Sequence, residues 1–355
     1  MSAASDRYHE VLRAAHQLGL RLSVENQRRL LRLLERWARE IERRAAAGLA
    51  RRTDAVVIRE LRALIDAMTI ELAQATGDMV RLTTRQVAEL QALATLELLR
   101  SAEVDAAIAA AFGGTGARAA QAILARPEIA EAFVTIRREA EKAVSRIIVR
   151  GRLRGAPPTA IAKELRQYIA LPRSPLIEGE LSVLADRRRI SYRLIEEFGY
   201  KPTPENLALV RSEASVIAHR AARIARTETM NAQSETLIQG AIDSPVVAYV
   251  QWSLSRRHTE PCACEPIAEL DLYGHGPGLY DPRNVPTRPH PHCLCVLTHV
   301  LRPRSEWGKE RGPVPELAVD LEATAYATGY YPSIQEAFIR AVEAGRARAP
   351  EAAAA

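Results

Sequence analysis

The sequence predicts a mainly α protein with a small α+β module toward its C-terminus: a helical N-terminal bundle, a long helix, and short β-strands around a Cys/His loop. Three observations carry this. Apolar residues recur every three or four positions through most of the chain before Gly240, the period of an amphipathic helix. A single run, Val246-Val247-Ala248-Tyr249-Val250-Gln251-Trp252, is β-branched and aromatic, as strands are. All four cysteines stand between Cys262 and Cys295, in a stretch rich in proline, glycine and histidine.

The elements follow in order. From Ser23, a plausible N-cap, to about Leu49, the residues Leu30, Leu34, Trp37, Ile41 and Ala45 fall at helical spacing. Helical pattern resumes over Thr53–Thr76 and again from Asp78 to about Phe112, and Gly113-Gly114-Thr115-Gly116 reads as a hinge. No Gly-Lys-Ser/Thr follows it, so it is not a phosphate-binding loop. Shorter helices are expected over Ala117–Ala125 and Pro127–Val149, the second opened by its proline. Gly151, Gly155, Pro157 and Pro158 mark a boundary, before helices at Thr159–Ile169 and Pro175–Phe198, the latter closed by Gly199-Tyr200. Thr203, Pro204 and Glu205 start a long helix whose seam runs Leu207, Val210, Ala214, Ile217, Ala221, Ile224. Glu228, Asn231 and Glu235 continue that step, so a buried Glu228 needs a polar partner. A second strand is expected over Cys293–Leu301, then helices near Pro315–Thr328 and Ser333–Ala344, and a frayed tail from Ala349. The domains expected along the chain are 1–112, 117–200, 203–301 and 302–355.

Composition narrows the classes. With 47% hydrophobic and 26% charged residues over 355 positions, the chain can bury real cores and is not a disordered polymer. Aromatics are only 5%, so those cores rest on Ala, Leu, Ile and Val. The net charge of +6 is carried almost wholly by arginine. Arg28, Arg32, Arg36, Arg39 and Arg43 form a stripe on one helix. It reads as a solvated face paired with Glu35, Glu40 and Glu42, or as a contact for nucleic acid or an acidic partner. No apolar core of a secretory leader lies in Met1–Leu20 and no run of about 18 apolar residues occurs, so no membrane segment and a cytoplasmic site of folding are expected.

The cysteines have His258, His275, His290 and His292 among or beside them. A loop as long as Ser253–Cys293 needs an organiser. A tetrahedral Zn²⁺ with Cys and His ligands would supply one. A reduced hydrogen-bonded cluster, or a disulfide in an oxidising compartment, are the alternatives. The best ligand set is Cys264, His290 and Cys293, completed by Cys262 or Cys295. In a strand, Cys293 and Cys295 would share a face, so that one binds metal while the other packs. A Cys/His nucleophile and base, or a metal-dependent hydrolase or nucleic-acid-modifying enzyme, is the competing reading. Against it, paired cysteines in a Pro-rich loop suit a staple. His258-Thr259-Glu260-Pro261-Cys262-Ala263-Cys264 also lacks the spacing of a zinc deaminase.

Ala225-Arg226-Thr227-Glu228 at a helix end, Trp252 on a strand, Pro261-Cys262-Ala263-Cys264, Tyr273 to Tyr280, and Pro289-His290-Pro291-His292-Cys293-Leu294-Cys295 occur in that order. This order resembles the head-morphogenesis domain of tailed phages, the Mu F-like minor head protein family, over roughly residues 203–301. Leu294 stands where the family has arginine, and Ser255-Arg256-Arg257 where an acidic residue is common. The resemblance implies a minor virion protein, not an enzyme, acting in head assembly inside the capsid after synthesis in the host cytoplasm. It also implies that Arg226, Thr227, Glu228 and Trp252 form a structural motif. The implied partners are the portal protein, the inner capsid or scaffold, and packaged DNA, with no small-molecule substrate.

Overall fold

The computed structural model describes residues 3–100, 114–169, 216–255, 258, 261–291 and 293–348. The protein is mainly helical with one small three-stranded antiparallel sheet, as its composition and periodicity predict. Helices α1 (Ala3–Leu49), α2 (Asp54–Arg100), α3 (Thr115–Leu124), α4 (Pro127–Leu153), α5 (Pro158–Ile169) and α6 (Val216–Asp243) precede the sheet. The C-terminal part carries β1 (Val247–Ser253), α7 (Cys264–Glu269), β2 (Leu279–Tyr280), β3 (Val296–Leu301), α8 (Leu321–Ala327) and α9 (Pro332–Arg346). Among the described residues no helix is long and apolar enough to cross a membrane.

Two compact units are assembled from non-contiguous segments. One unit is built from residues 24–78 and 126–226, the other from 1–23, 79–125 and 227–355.

In the first unit, α1 and α2 form a hairpin. Arg51 and Arg52 donate their backbone N–H to the Gly48 carbonyl at the turn. Leu30, Leu34, Ala38, Ile41 and Ala45 of α1 and Leu61, Ile65, Met68 and Leu72 of α2 are fully buried. Trp37 lies beside that seam and donates its indole N–H to Glu71 at 2.8 Å. On α5, Arg166 reaches Glu35 and Glu42 on α1 at 2.7 and 3.0 Å.

Several expected boundaries move. Ser23 does not cap a helix; it is buried inside α1, whose apolar step runs back through Leu22, Ala15, Leu12 and Tyr8. The two helices expected around Gly77 are one, α2. A mid-helix glycine costs about 1 kcal/mol, and the burial of Leu72, Met79 and Val80 on the same helix offsets it. Thr115 and Gly116 are the first turn of α3 and not a hinge: Thr115 donates to Asp243 at the end of α6 at 2.7 Å. Gly151 lies within α4, where a Cβ would fall 2.5 Å from Ile161 of α5; the helix ends instead near Gly155, which has φ +67°. Three expectations concern positions outside the described residues: the helix at Pro175–Phe198 with Gly199-Tyr200, the Thr203 start with Leu207, Val210 and Ala214, and the tail from Ala349.

In the second unit the sheet order is β2-β1-β3, with Val250 opposite His299 and Trp252 opposite Leu297. Those four residues share the covered face, and all are buried. Against it lie α6 and the start of α1. His299 donates its Nε2 proton to the Leu237 carbonyl at 3.0 Å and accepts at Nδ1 from the Tyr8 hydroxyl at 2.7 Å. Burial, foremost, pushes the His299 pKa down to about 4. A depressed histidine keeps its full stabilising contribution above the unfolded value of about 6.5 and loses it as pH falls through the folded value. Between pH ~6.5 and ~4 the protein should therefore lose about 3 kcal/mol through His299. Urea melts of the native chain and His299→Gln at pH 7 and pH 4.5 test this. Equal pH slopes for the two proteins would exclude His299 as the source.

Candidate metal centre

β1 brings the chain to Ser253 on the central strand, and the following loop turns into α7 at Cys264. The loop carries its own structure. The Glu265 N–H bonds the Cys262 carbonyl at 3.1 Å, the Gly278 N–H bonds the Leu270 carbonyl at 3.1 Å, and the Trp252 N–H bonds the Gly278 carbonyl at 2.8 Å. Gly278 has φ +65°, and a Cβ there would lie 2.7 Å from the Ala268 carbonyl oxygen and 2.8 Å from that of Trp252. Only glycine can close the loop this tightly against β1. After β2, Asp281 caps a 3₁₀ turn, Pro282–Asn284, and the chain returns through His290 to Cys293 and Cys295. Strand β3 starts at Val296, so the two cysteines precede it. Free of a strand's alternation, both reach one cluster with Cys264.

All four cysteines are buried free thiols. The Cys262 Sγ lies 3.3 Å and the Cys264 Sγ 3.2 Å from His290 Nε2, and the Cys264 and Cys293 sulfurs are 3.4 Å apart. Two triplets, Cys262-Cys264-His290 and Cys264-Cys293-Cys295, each place their donor atoms within 4.8 Å of one another, and Cys264 belongs to both. The His290 Nδ1 proton goes to the Pro291 carbonyl at 2.8 Å. That bond fixes the tautomer and leaves the Nε2 lone pair facing the sulfurs, as in metal-ligating histidines. His258 stands at the edge, bonded to Glu265 at 2.9 Å and 3.9 Å from the Cys262 sulfur.

Protonation is divided within the cluster. The Cys264 hydrogen bond holds the Cys262 thiol down at about 4, against burial and helped by His290. Burial opposes ionisation of Cys293, but bonds from Cys264 and Cys295 and the charges of Arg288 and His290 take it well below the thiol range. Cys264 is raised by the same bonds that lower its neighbours. Cys295 is pushed up to about 12: its bond with Cys264 works the other way, and the bond and charge of Cys293 and burial prevail. Burial works against an imidazolium at His290, yet the sulfurs of Cys262 and Cys293 raise its pKa. Two of the four thiols, Cys262 and Cys293, are thus held below the usual thiol range, which favours a bound cation.

The donor set fits a metal ion. Thiols and an imidazole are ligands that zinc takes, and about 3.7 Å separates two sulfurs on a tetrahedron with bonds of ~2.3 Å; the Cys264–Cys293 edge of 3.4 Å is near that, and a four-coordinate site would need a donor of one triplet to close on the other. The five expected ligands, Cys264, His290, Cys293, Cys262 and Cys295, fall into two triplets that share Cys264. His275 does not: it stacks on Tyr249 with ring centroids 4.6 Å apart. His292 lies outside the described residues.

One residue of the centre carries no metal-ligand signature in the sequence. Arg288 donates from Nη1 to the Cys293 carbonyl at 2.9 Å, from Nη2 to the Cys295 carbonyl at 3.0 Å, and from Nε to Ser234 Oγ on α6 at 2.7 Å. This planar fork holds both cysteines' backbone against the long helix. Further along α6, Glu235 pairs with Arg348 at 3.1 Å. Glu228 is half-buried and accepts from Asn231 on its own helix at 3.1 Å. Arg226 is buried, Thr227 half-buried, and Trp252 is among the largest fully buried side chains.

The arginine stripe on α1 is exposed along its length. Arg36 pairs with Glu71, Arg39 with Glu35 at 3.8 Å, and Arg43 with Glu40 at 2.6 Å. The chain matches no protein-family model, no curated protein and no solved structure.

Proposed function

We propose that this chain is a minor structural protein of a tailed-phage virion, acting in head assembly at the portal inside the capsid, and that its Cys/His centre is a structural zinc staple. The observation that carries the staple is the pair of buried donor triplets that share Cys264. Four buried thiols and His290 offer more ligands than a four-coordinate ion takes. A structural zinc site is filled by protein ligands, whereas a catalytic one keeps a position open for water or substrate. The choice of zinc rests on the same chemistry, because thiolate and imidazole together favour it over magnesium or calcium. The assignment to head assembly rests on the order of Arg226-Thr227-Glu228, Trp252, the two Cys-x-Cys pairs and His290, which resembles the Mu F-like family. Contact with packaged DNA would run through the Arg28–Arg43 stripe and weaken as salt rises.

Two measurements test the two parts separately. Elemental analysis of the purified full chain should find one zinc per molecule. Purified heads of the phage that encodes the chain should contain it, and deleting its gene should lower infectious yield at least tenfold. Heads without the chain, or an unchanged yield, would sink the assembly role and leave the staple standing. Hydrolytic turnover abolished by His290→Ala in a variant that stays folded would favour an enzyme instead.

A further inference from the structure

The sheet has a second face, and a cleft lies over it. Tyr249 alternates with the buried Val250 and Trp252 and so points away from α6. With His275 it forms the floor of a cleft of about 420 Å³, walled by Arg283, Arg302, Lys309 and Arg311. The volume is that of a small-molecule site.

Four cations and three carboxylates line the cleft, an excess of one positive charge. Its buried carboxylate, Asp281, is taken by Arg283, which grips both oxygens at 2.8 and 2.9 Å. Arg311 is spent on the backbone: it donates to the carbonyls of Ala241, Ser244 and Ala248 at 2.6, 3.1 and 3.2 Å. These bonds tie it to the C-terminal end of α6, where a cation is favoured. Arg302 commits Nη1 to the Lys309 carbonyl at 2.6 Å. Among the described residues, the other guanidinium donors of Arg302 and the ammonium of Lys309 have no acceptor. Glu306 and Glu310, exposed like Lys309, also line the cleft and pair with neither. The crowding of positive charge is felt inside. Burial, then the charges of Arg302 and Arg283, push Arg311 down to about 10 despite the opposing pull of Asp281.

We infer that this cleft is a binding site for a small phosphomonoester, its phosphate held by Arg302 and Lys309 and its body resting on the Tyr249–His275 pair. Free donors from a guanidinium and an ammonium suit a phosphate with several acceptor oxygens. The paired rings offer a platform for a planar group. The site lies on the face of the sheet opposite His299 and does not depend on the metal centre or on a role in head assembly.

Calorimetric titration of the full chain at fixed ionic strength, with inorganic phosphate and with phenyl phosphate, tests it. Both should bind saturably, phenyl phosphate the tighter. Arg302→Gln with Lys309→Gln should weaken both at least tenfold, and Lys309→Gln alone, at an exposed side chain, should weaken them measurably. Tyr249→Leu should remove the preference for the aryl ester and spare phosphate. No saturable binding, or binding unchanged in the double variant at an unaltered melting temperature, would overturn the site. So would a blunt duplex lacking terminal phosphates that binds as tightly and depends on the same two residues.

Discussion

Cys264→Ser is expected to abolish metal retention and unfold the loop between β1 and β3 while the hairpin of α1 and α2 remains helical. Cys264 is the one donor common to both triplets, so no remaining set keeps four ligands without rearrangement. A structural zinc contributes on the order of 10 kcal/mol to a small module, comparable with the whole stability of a domain, about 5–15 kcal/mol. Cys295→Ser should be milder, because it leaves the Cys262-Cys264-His290 triplet whole. Zinc content by elemental analysis and thermal melts with and without chelator give the comparison. Equal retention in the two variants would mean that Cys264 is not the shared ligand.

Arg288→Ala should destabilise the same unit by about 3–5 kcal/mol. Its three hydrogen bonds are charge-assisted, each worth roughly 1.5–3 kcal/mol, and the loss is less than their sum because neighbours relax. The variant leaves the carbonyls of Cys293 and Cys295 and the Ser234 hydroxyl without their donor. Arg288→Lys should recover little, since an ammonium cannot span three acceptors fixed by a planar fork. Urea unfolding followed by near-ultraviolet circular dichroism reports this. A loss below 1 kcal/mol for the alanine variant would show that the helix and the loop hold without Arg288.

Which features could be read from the sequence follows from their physics. The seam of α1 and the strand at Val247–Ser253 repeat a period over several residues, and a period survives without knowledge of partners. The gathering of Cys262, Cys264, His290, Cys293 and Cys295 was legible because cysteine is scarce here and confined to one segment. Boundaries were not. Ser23 has the chemistry of a cap, but the burial of Leu22 and Ala15 carries α1 through it. Gly151 and Gly77 look like breaks; a glycine inside a helix can equally be a place where another helix comes close, and only the packing decides. Arg288 was invisible for a different reason. Its acceptors are two backbone carbonyls nearby in the chain and a serine more than fifty residues away, and no local pattern marks an arginine that binds backbone. Likewise nothing in the sequence around Tyr249 and Lys309 announces a cleft, which exists only once the sheet has formed.

The hydrogen bond between Tyr8 and His299 spans 291 positions. During synthesis, the first turns of α1 emerge early and their buried partners on β3 emerge near the end. Until then Tyr8 has no sheet to cover it. Closing so long a loop is slow, and exposed apolar surface invites association with other chains in the interval. The unit formed by residues 24–78 and 126–226 faces no such wait, because its last segment is translated well before His299. Translation order therefore gives the two units different windows of vulnerability, with the one that houses the cysteines completed last.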